Sequence, residues 1–139
     1  MKGVRKVLVA VNRSMDVARH GVSLARDEGT WVTMLKVIPP NDGDLNLTGI
    51  KNIEDVLRSD SDKVVSDVRR LAASEGALVK TRVETGEIDR KILEVAKEER
   101  CDLIIMGAQK NSFFRRLLGA NVVERVISNA PCPVFVVGA

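Results

Sequence analysis

The chain has 139 residues, of which 45% are hydrophobic, 29% charged and only 3% aromatic, with no tyrosine. That length holds one domain, spanning residues 1–139, and excludes two. Twenty-two basic residues against 19 acidic ones give a net charge of +3 with the signs interspersed, which argues against nucleic acid as a partner, and no apolar run approaches a membrane span.

The opening MKGVRKVLVAVN runs directly into a strand pattern and not a secretory signal, so a cytoplasmic protein is expected. Lys6 to Asn12 is an apolar run closed by a polar residue, the mark of a strand covered on both faces. Ser14 or Asn12 can cap a helix that carries Val17, Gly21, Leu24 and Ala25 on one face, and Gly29 stops it. Thr30 to Ile38 is a second strand, rich in β-branched residues and closed by Pro39-Pro40. NDGDLNLTG follows as a polar loop. Ile53, Leu57, Val64, Val68 and Leu71 recur at helical spacing and predict a long amphipathic helix to about Glu75, ended by Gly76.

Leu78 to Glu84 alternates as a third strand, with a turn at Gly86. Ile88, Ile92, Val95 and Ala96 give a third helix, and DLIIMG a fourth strand. Val122, Val126, Ile127 and Ala130 give a fourth helix, and Pro133 to Val137 a fifth strand. Strands separated by helices mean parallel pairing through crossovers, an open α/β doubly wound sheet. Where the strand order reverses, a crevice opens at the carboxyl ends. Here it would be lined by Asn12-Arg13-Ser14, the carbonyls of Val37 and Ile38, and Met106-Gly107-Ala108. Every such sheet has a crevice, and many are only loop surface.

The remaining chemistry is sparse. Cys101 and Cys132 are too far apart for a CxxC motif and read as small packing residues. One histidine, His20, cannot build a triad or a zinc site, and no metal site is expected. No P-loop and no GxGxxG follows the first strand. Asp16, Asp27 and Glu28 read as surface charges, and Asp102 precedes the fourth strand at the wrong end of the sheet for a crevice. No catalytic residue is assigned.

VLVAVNRSMDVARHGVSLA, LKVIP, GEIDRKILEVAKEERCDLIIMGAQ and RRLLGANVVERVISNAPCPVFVV together resemble the universal stress protein family over nearly the whole chain. The resemblance implies five parallel strands in the order 3-2-1-4-5, helices on both faces, and a homodimer. The dimer would use Val134, Phe135, Val136 and Val137, an apolar outer strand that seeks a partner. Members that bind ATP carry, after the fourth strand, Gly, two residues, Gly, nine residues, then Gly followed by Ser or Thr. Gly107 fits the first position, but Lys110 stands at the second glycine, Ala120 at the third and Asn121 at the hydroxyl residue. Gly119 lies one residue early. Binders also tend to have aspartate where this chain has Asn12.

Alanine where φ must be positive costs about 1 kcal/mol, and its methyl group obstructs backbone approach to a phosphate. Lys110 obstructs too, but brings a cation that can meet a phosphate as a point charge. Asn121 keeps a capping side chain at a helix start. The nucleotide-binding candidates are therefore Ala10, Asn12, Val37, Met106, Gly107, Lys110, Ala120, Asn121 and Val122, in an altered site. Arg115 and Arg116 read as a solvated loop face, and Phe113-Phe114 as an anchor of their own loop or a lid. The favoured reading is a stress-response module acting through dimerisation and a protein partner, with no cofactor at stoichiometry. The alternative is an ATP-binding member, and a nucleotide hydrolase lacks a candidate base.

Overall fold

Val7, Leu8 and Val9 are all buried, so the first strand is covered on both faces, as its unbroken apolar run requires. The computed structural model describes residues 5–12, 14–39, 53–108 and 122–138, with the backbone alone for 53–59. Their elements in chain order are β1 (Lys6–Ala10), α1 (Met15–Glu28), β2 (Trp31–Ile38), α2 (Ile53–Ser74), β3 (Val79–Thr85), α3 (Ile88–Glu98), β4 (Leu103–Gly107), α4 (Val122–Asn129) and β5 (Val134–Val137). The sheet order is β3-β2-β1-β4-β5, every pair parallel. The strand order, the parallel pairing and the alternation with helices are those expected from the sequence. Element ends differ by a residue or two: β1 ends at Ala10 and not at Asn12, and β3 runs Val79–Thr85 and not Leu78–Glu84.

Strand alternation sorts the core into two layers. Val7, Val9, Val32, Met34, Leu103 and Ile105 pack with Val17, Ala18 and Val22 of α1 and Val64, Val68 and Ala72 of α2. Leu8, Leu35, Val37, Ile104 and Met106 pack on the other face with Ile92, Val95 and Ala96 of α3 and Val122 and Val126 of α4. Ile127 departs from the expected helix face and is 53% exposed. Val122 and Val126, one turn apart, hold the inward stripe, and the residue after Val126 is rotated away from it.

Local chemistry sets the ends of α1. Ser14, not Asn12, is its N-cap, the hydroxyl accepting from the Asp16 amide, and Gly29 closes the helix at φ 64°, its amide donating to the Leu24 carbonyl. Gly21 brings the helix close to the sheet: a Cβ there would stand 2.7 Å from Val9 Cγ2. No helix among the described residues is long and apolar enough to cross a membrane.

Candidate functional site

The strand order reverses between β1 and β4, and their carboxyl ends are where the sequence places a crevice. Ala10 is the register partner of Met106 on one side and of Leu35 on the other. Pairing extends one step further, the Val11 amide donating to the Leu35 carbonyl at 2.9 Å. Asn12 follows, half-buried, and its Oδ1 accepts the Ser14 amide at 3.0 Å. This local turn aims the chain from β1 into α1.

Gly107 ends β4 buried beside that turn. A Cβ on it would lie 3.0 Å from Val17 Cγ2 and 3.3 Å from Asn12 Nδ2. Its backbone is not left-handed, so close approach and not φ is what favours glycine here. Val37 is buried in β2 beside Glu84, two positions beyond the partner of Ala10. Val122 opens α4 and is 2% exposed, packed in the same layer as Leu8 and Leu35. The structure thus gathers Ala10, Asn12, Met106 and Gly107 at one seam and places Val37 at the same end of the sheet. Arg13, the 41–49 loop, Lys110, Phe113-Phe114, Arg115, Arg116, Gly119, Ala120 and Asn121 lie outside the described residues.

Other polar groups serve the fold. Asp102 sits at the opposite end of the sheet, its Oδ2 accepting the amides of Arg5 at 2.9 Å and Lys6 at 3.0 Å. Those two bonds hold its carboxyl below the usual range. Burial pushes the Cys101 thiol up to about 11 and raises that of Cys132, which leaves both poor nucleophiles at neutral pH. Among the described residues no group of three His, Cys, Asp or Glu is placed to hold a metal ion.

An ion cluster on the α3 face was not anticipated from the sequence. Arg82 donates to Glu84 at 3.0 Å, to Glu98 at 3.1 Å and to Glu99 at 2.8 Å, and the Thr33 hydroxyl donates to Glu99 at 2.7 Å. Burial opposes ionisation of Glu99, but the bonds from Thr33 and Arg82 and the charge of Lys80 outweigh it and hold the carboxyl low. Alternation of Arg82 and Glu84 onto one face of β3 was visible; their register against Thr33 and the end of α3 was not.

At the far edge, β5 presents a second feature. The Ile104 and Ala108 amides of the β4 segment donate to the carbonyls of Pro133 and Val137. Backbone groups alternate sides along a strand, so those of Val134 and Val136 point to the outer edge. Phe135 is 49% exposed, its ring centroid 5.7 Å from that of His20. A groove of about 210 Å³ runs beside it, lined by Leu103, Ile105, Leu24, Ser23, Asp27 and Glu28 together with these two rings. On this face α1 packs on β1, β2 and β4 and meets β5 through the His20–Phe135 ring contact.

The family described as "Universal stress protein family" matches residues 3–138. Among curated relatives, universal stress protein MJ0531 of Methanocaldococcus jannaschii is 29% identical over 131 residues, covering 89% of this chain and 74% of the relative. Universal stress protein UspA from Lactobacillus plantarum superposes with a TM-score of 0.72 at 25% identity, over 96% of this chain and 97% of its own. The universal stress protein from Archaeoglobus fulgidus in complex with dAMP superposes with a TM-score of 0.64 at 22% identity, over 98% of each chain.

Proposed function

The chain belongs to the universal stress protein family, and from that premise we propose that it is a stress-response module that dimerises through β5 and acts on a protein partner. The observation that carries this reading is the outer edge of β5. Val134 and Val136 turn their backbone groups outward, and Phe135 stands half-exposed beside an apolar groove floored by Leu103 and Ile105. A second copy related by a two-fold axis can pair antiparallel along Val134–Val137 and bury both Phe135 rings. In this reading the crevice is altered, the protein carries no stoichiometric cofactor, and it performs no catalysis.

Sedimentation tests the proposal. A dimer is expected at micromolar concentration, and Val136→Pro, which removes an outward amide and leaves the pairing with β4 intact, is expected to give a folded monomer. A monomeric unmodified protein, or a dimer indifferent to that proline, overturns it.

A second reading, adenine-nucleotide binding, is supported by the seam of Ala10, Asn12, Met106 and Gly107 at the reversal of strand order. The fold is also that of a family member crystallised with dAMP. In this reading Asn121, the residue before Val122 in the chain, and Lys110 would supply the anion contacts, with Ala120 and Val122 as the sequence neighbours of Asn121. Calorimetric titration with ATP and magnesium distinguishes the two readings.

A further inference from the structure

The amino end of the sheet carries an apolar patch that the core does not use. Trp31, the chain's only tryptophan, is 76% exposed, and Leu78 is 92% exposed. Val32 pairs with Val79, so Leu78 stands next to Trp31 across the β2–β3 boundary, and Lys6 of β1 is the register partner of Trp31 on the other side. By alternation all three lie on the α3 face, since Leu8 and Leu35 belong to that layer. α3 ends at Glu98, and Glu99 reaches Thr33 and Lys80 one row further in. The row of Lys6, Trp31 and Leu78 lies beyond the end of the helix.

The charge around this row is positive. Arg5, Lys6, Lys80 and Arg100 are exposed there. The carboxylates at the same place are committed: Asp102 to the amides of Arg5 and Lys6, Glu98 to Arg82, and Glu99 to Thr33 and Arg82, with Lys80 paired to Glu99 at 3.5 Å and its side chain still 63% exposed. Asp27, Glu28 and Glu75 belong to the ends of α1 and α2 on the other face, where Arg26 pairs with Asp27 and Glu75. A single exposed apolar side chain is ordinary, but an exposed leucine beside an exposed tryptophan is a contiguous apolar patch built on the residue type most enriched in binding hot spots, and the cations around it favour an acidic occupant.

We infer that Trp31 and Leu78 form a docking surface for an acidic segment of a partner protein, one that seats a large apolar side chain on the pair and sets its carboxylates on Lys6 and Lys80. This names a surface for the protein partner of the preceding reading and rests on that part of it. The surface is remote from both β5 and the crevice.

Trp31 is its own reporter, because no other indole contributes to the fluorescence. The probes are the synthetic peptide Glu-Asp-Leu-Phe-Glu-Asp-Leu and its counterpart with lysine at every acidic position. The acidic peptide is expected to shift the emission saturably to shorter wavelength at tens of micromolar, and the basic one to leave it unchanged. Lys6→Gln/Lys80→Gln and Leu78→Ser, at exposed positions and checked by unchanged melting curves, are each expected to weaken binding about tenfold. The monomerising Val136→Pro is expected to bind like the unmodified protein, so the failure of one proposal does not imply failure of the other. Equal response to both peptides, or to neither, overturns the inference. So does a shift produced by protein concentration alone, which would make the occupant a second copy, or by phosphatidylserine vesicles alone, which would make it a membrane.

Discussion

Asn12 and Gly107 face each other across the β1–β4 seam, the place a Cβ would occupy on Gly107 lying 3.3 Å from Asn12 Nδ2. Val17 closes the same space from α1 at 3.0 Å. Glycine at the end of β4 therefore has a reason in packing that holds whether or not a phosphate ever lies there. Gly107→Ala is expected to lower stability by about 1–2 kcal/mol, from crowding of Asn12 and the first turn of α1. Urea unfolding checks it. An alanine variant as stable as the parent would show that the seam yields freely and that the glycine serves only a ligand.

Gly21 makes a stricter demand. Its Cβ would stand 2.7 Å from Val9 Cγ2 and 2.9 Å from Met34 Cε. Met34 can swing its methyl aside, but Val9 is a buried β-branched residue in the central strand. Alanine gains about 1 kcal/mol of helix propensity at such a position, yet overpacking costs about 1–3 kcal/mol. Gly21→Ala is expected to be net destabilising, with a lower urea midpoint and an unchanged slope.

Much of this arrangement was legible in the chain itself. Unbroken apolar runs such as Val7–Val9 and helical spacing such as Ile92, Val95 and Ala96 specify buried parallel strands and covering helices, because each period matches one element. Ile127 misled because an apolar residue beside Val126 falls within the tolerance of a helical stripe, and only the helix rotation shows it turned outward. The Arg82 cluster was hidden for another reason. Thr33, Arg82 and Glu99 are brought together by strand register and the end of α3, and neither is written in local sequence. In the candidate site, Asn12 and Gly107 were named from the topology, but Val17, which explains the glycine sterically, reads as an ordinary core residue of a helix.

Asp102 predicts a pH dependence. Its folded carboxyl titrates below the unfolded value of about 3.9, because the Arg5 and Lys6 amides donate to the ionised form. The stabilisation it provides is therefore complete above that value and is lost as pH falls through the folded one. Asp102→Asn is expected to be less stable than the parent near pH 7, with the gap closing below about pH 4. Urea midpoints for both proteins between pH 7 and pH 3 measure this. A gap that stays constant over the range would place the role of Asp102 in its shape and not in its charge.

ATP is expected to bind this chain weakly. One glycine of the binding pattern is in register, Gly107, and its seam is already filled by Asn12 and Val17. Asn12 has no negative charge, and its oxygen is engaged by the Ser14 amide, which leaves its Nδ2 facing Gly107. If the pattern implied by the family resemblance is the binding determinant, two replaced glycines and a replaced aspartate would remove several contacts to phosphate and base. At about 1 kcal/mol each, that lowers affinity by about 10²-fold or more. Lys110 would return one contact as a point charge. Calorimetric titration with ATP and magnesium is expected to show binding weaker than micromolar, tightened in a Lys110→Gly/Ala120→Gly/Asn121→Ser variant that restores the pattern. Micromolar affinity in the unmodified protein would shift the conclusion to the nucleotide reading, with Lys110 and Asn121 replacing backbone contacts by side-chain ones. Weak binding that the variant restores would leave Gly107 as the remnant of a phosphate loop, kept because α1 packs too closely for a larger residue.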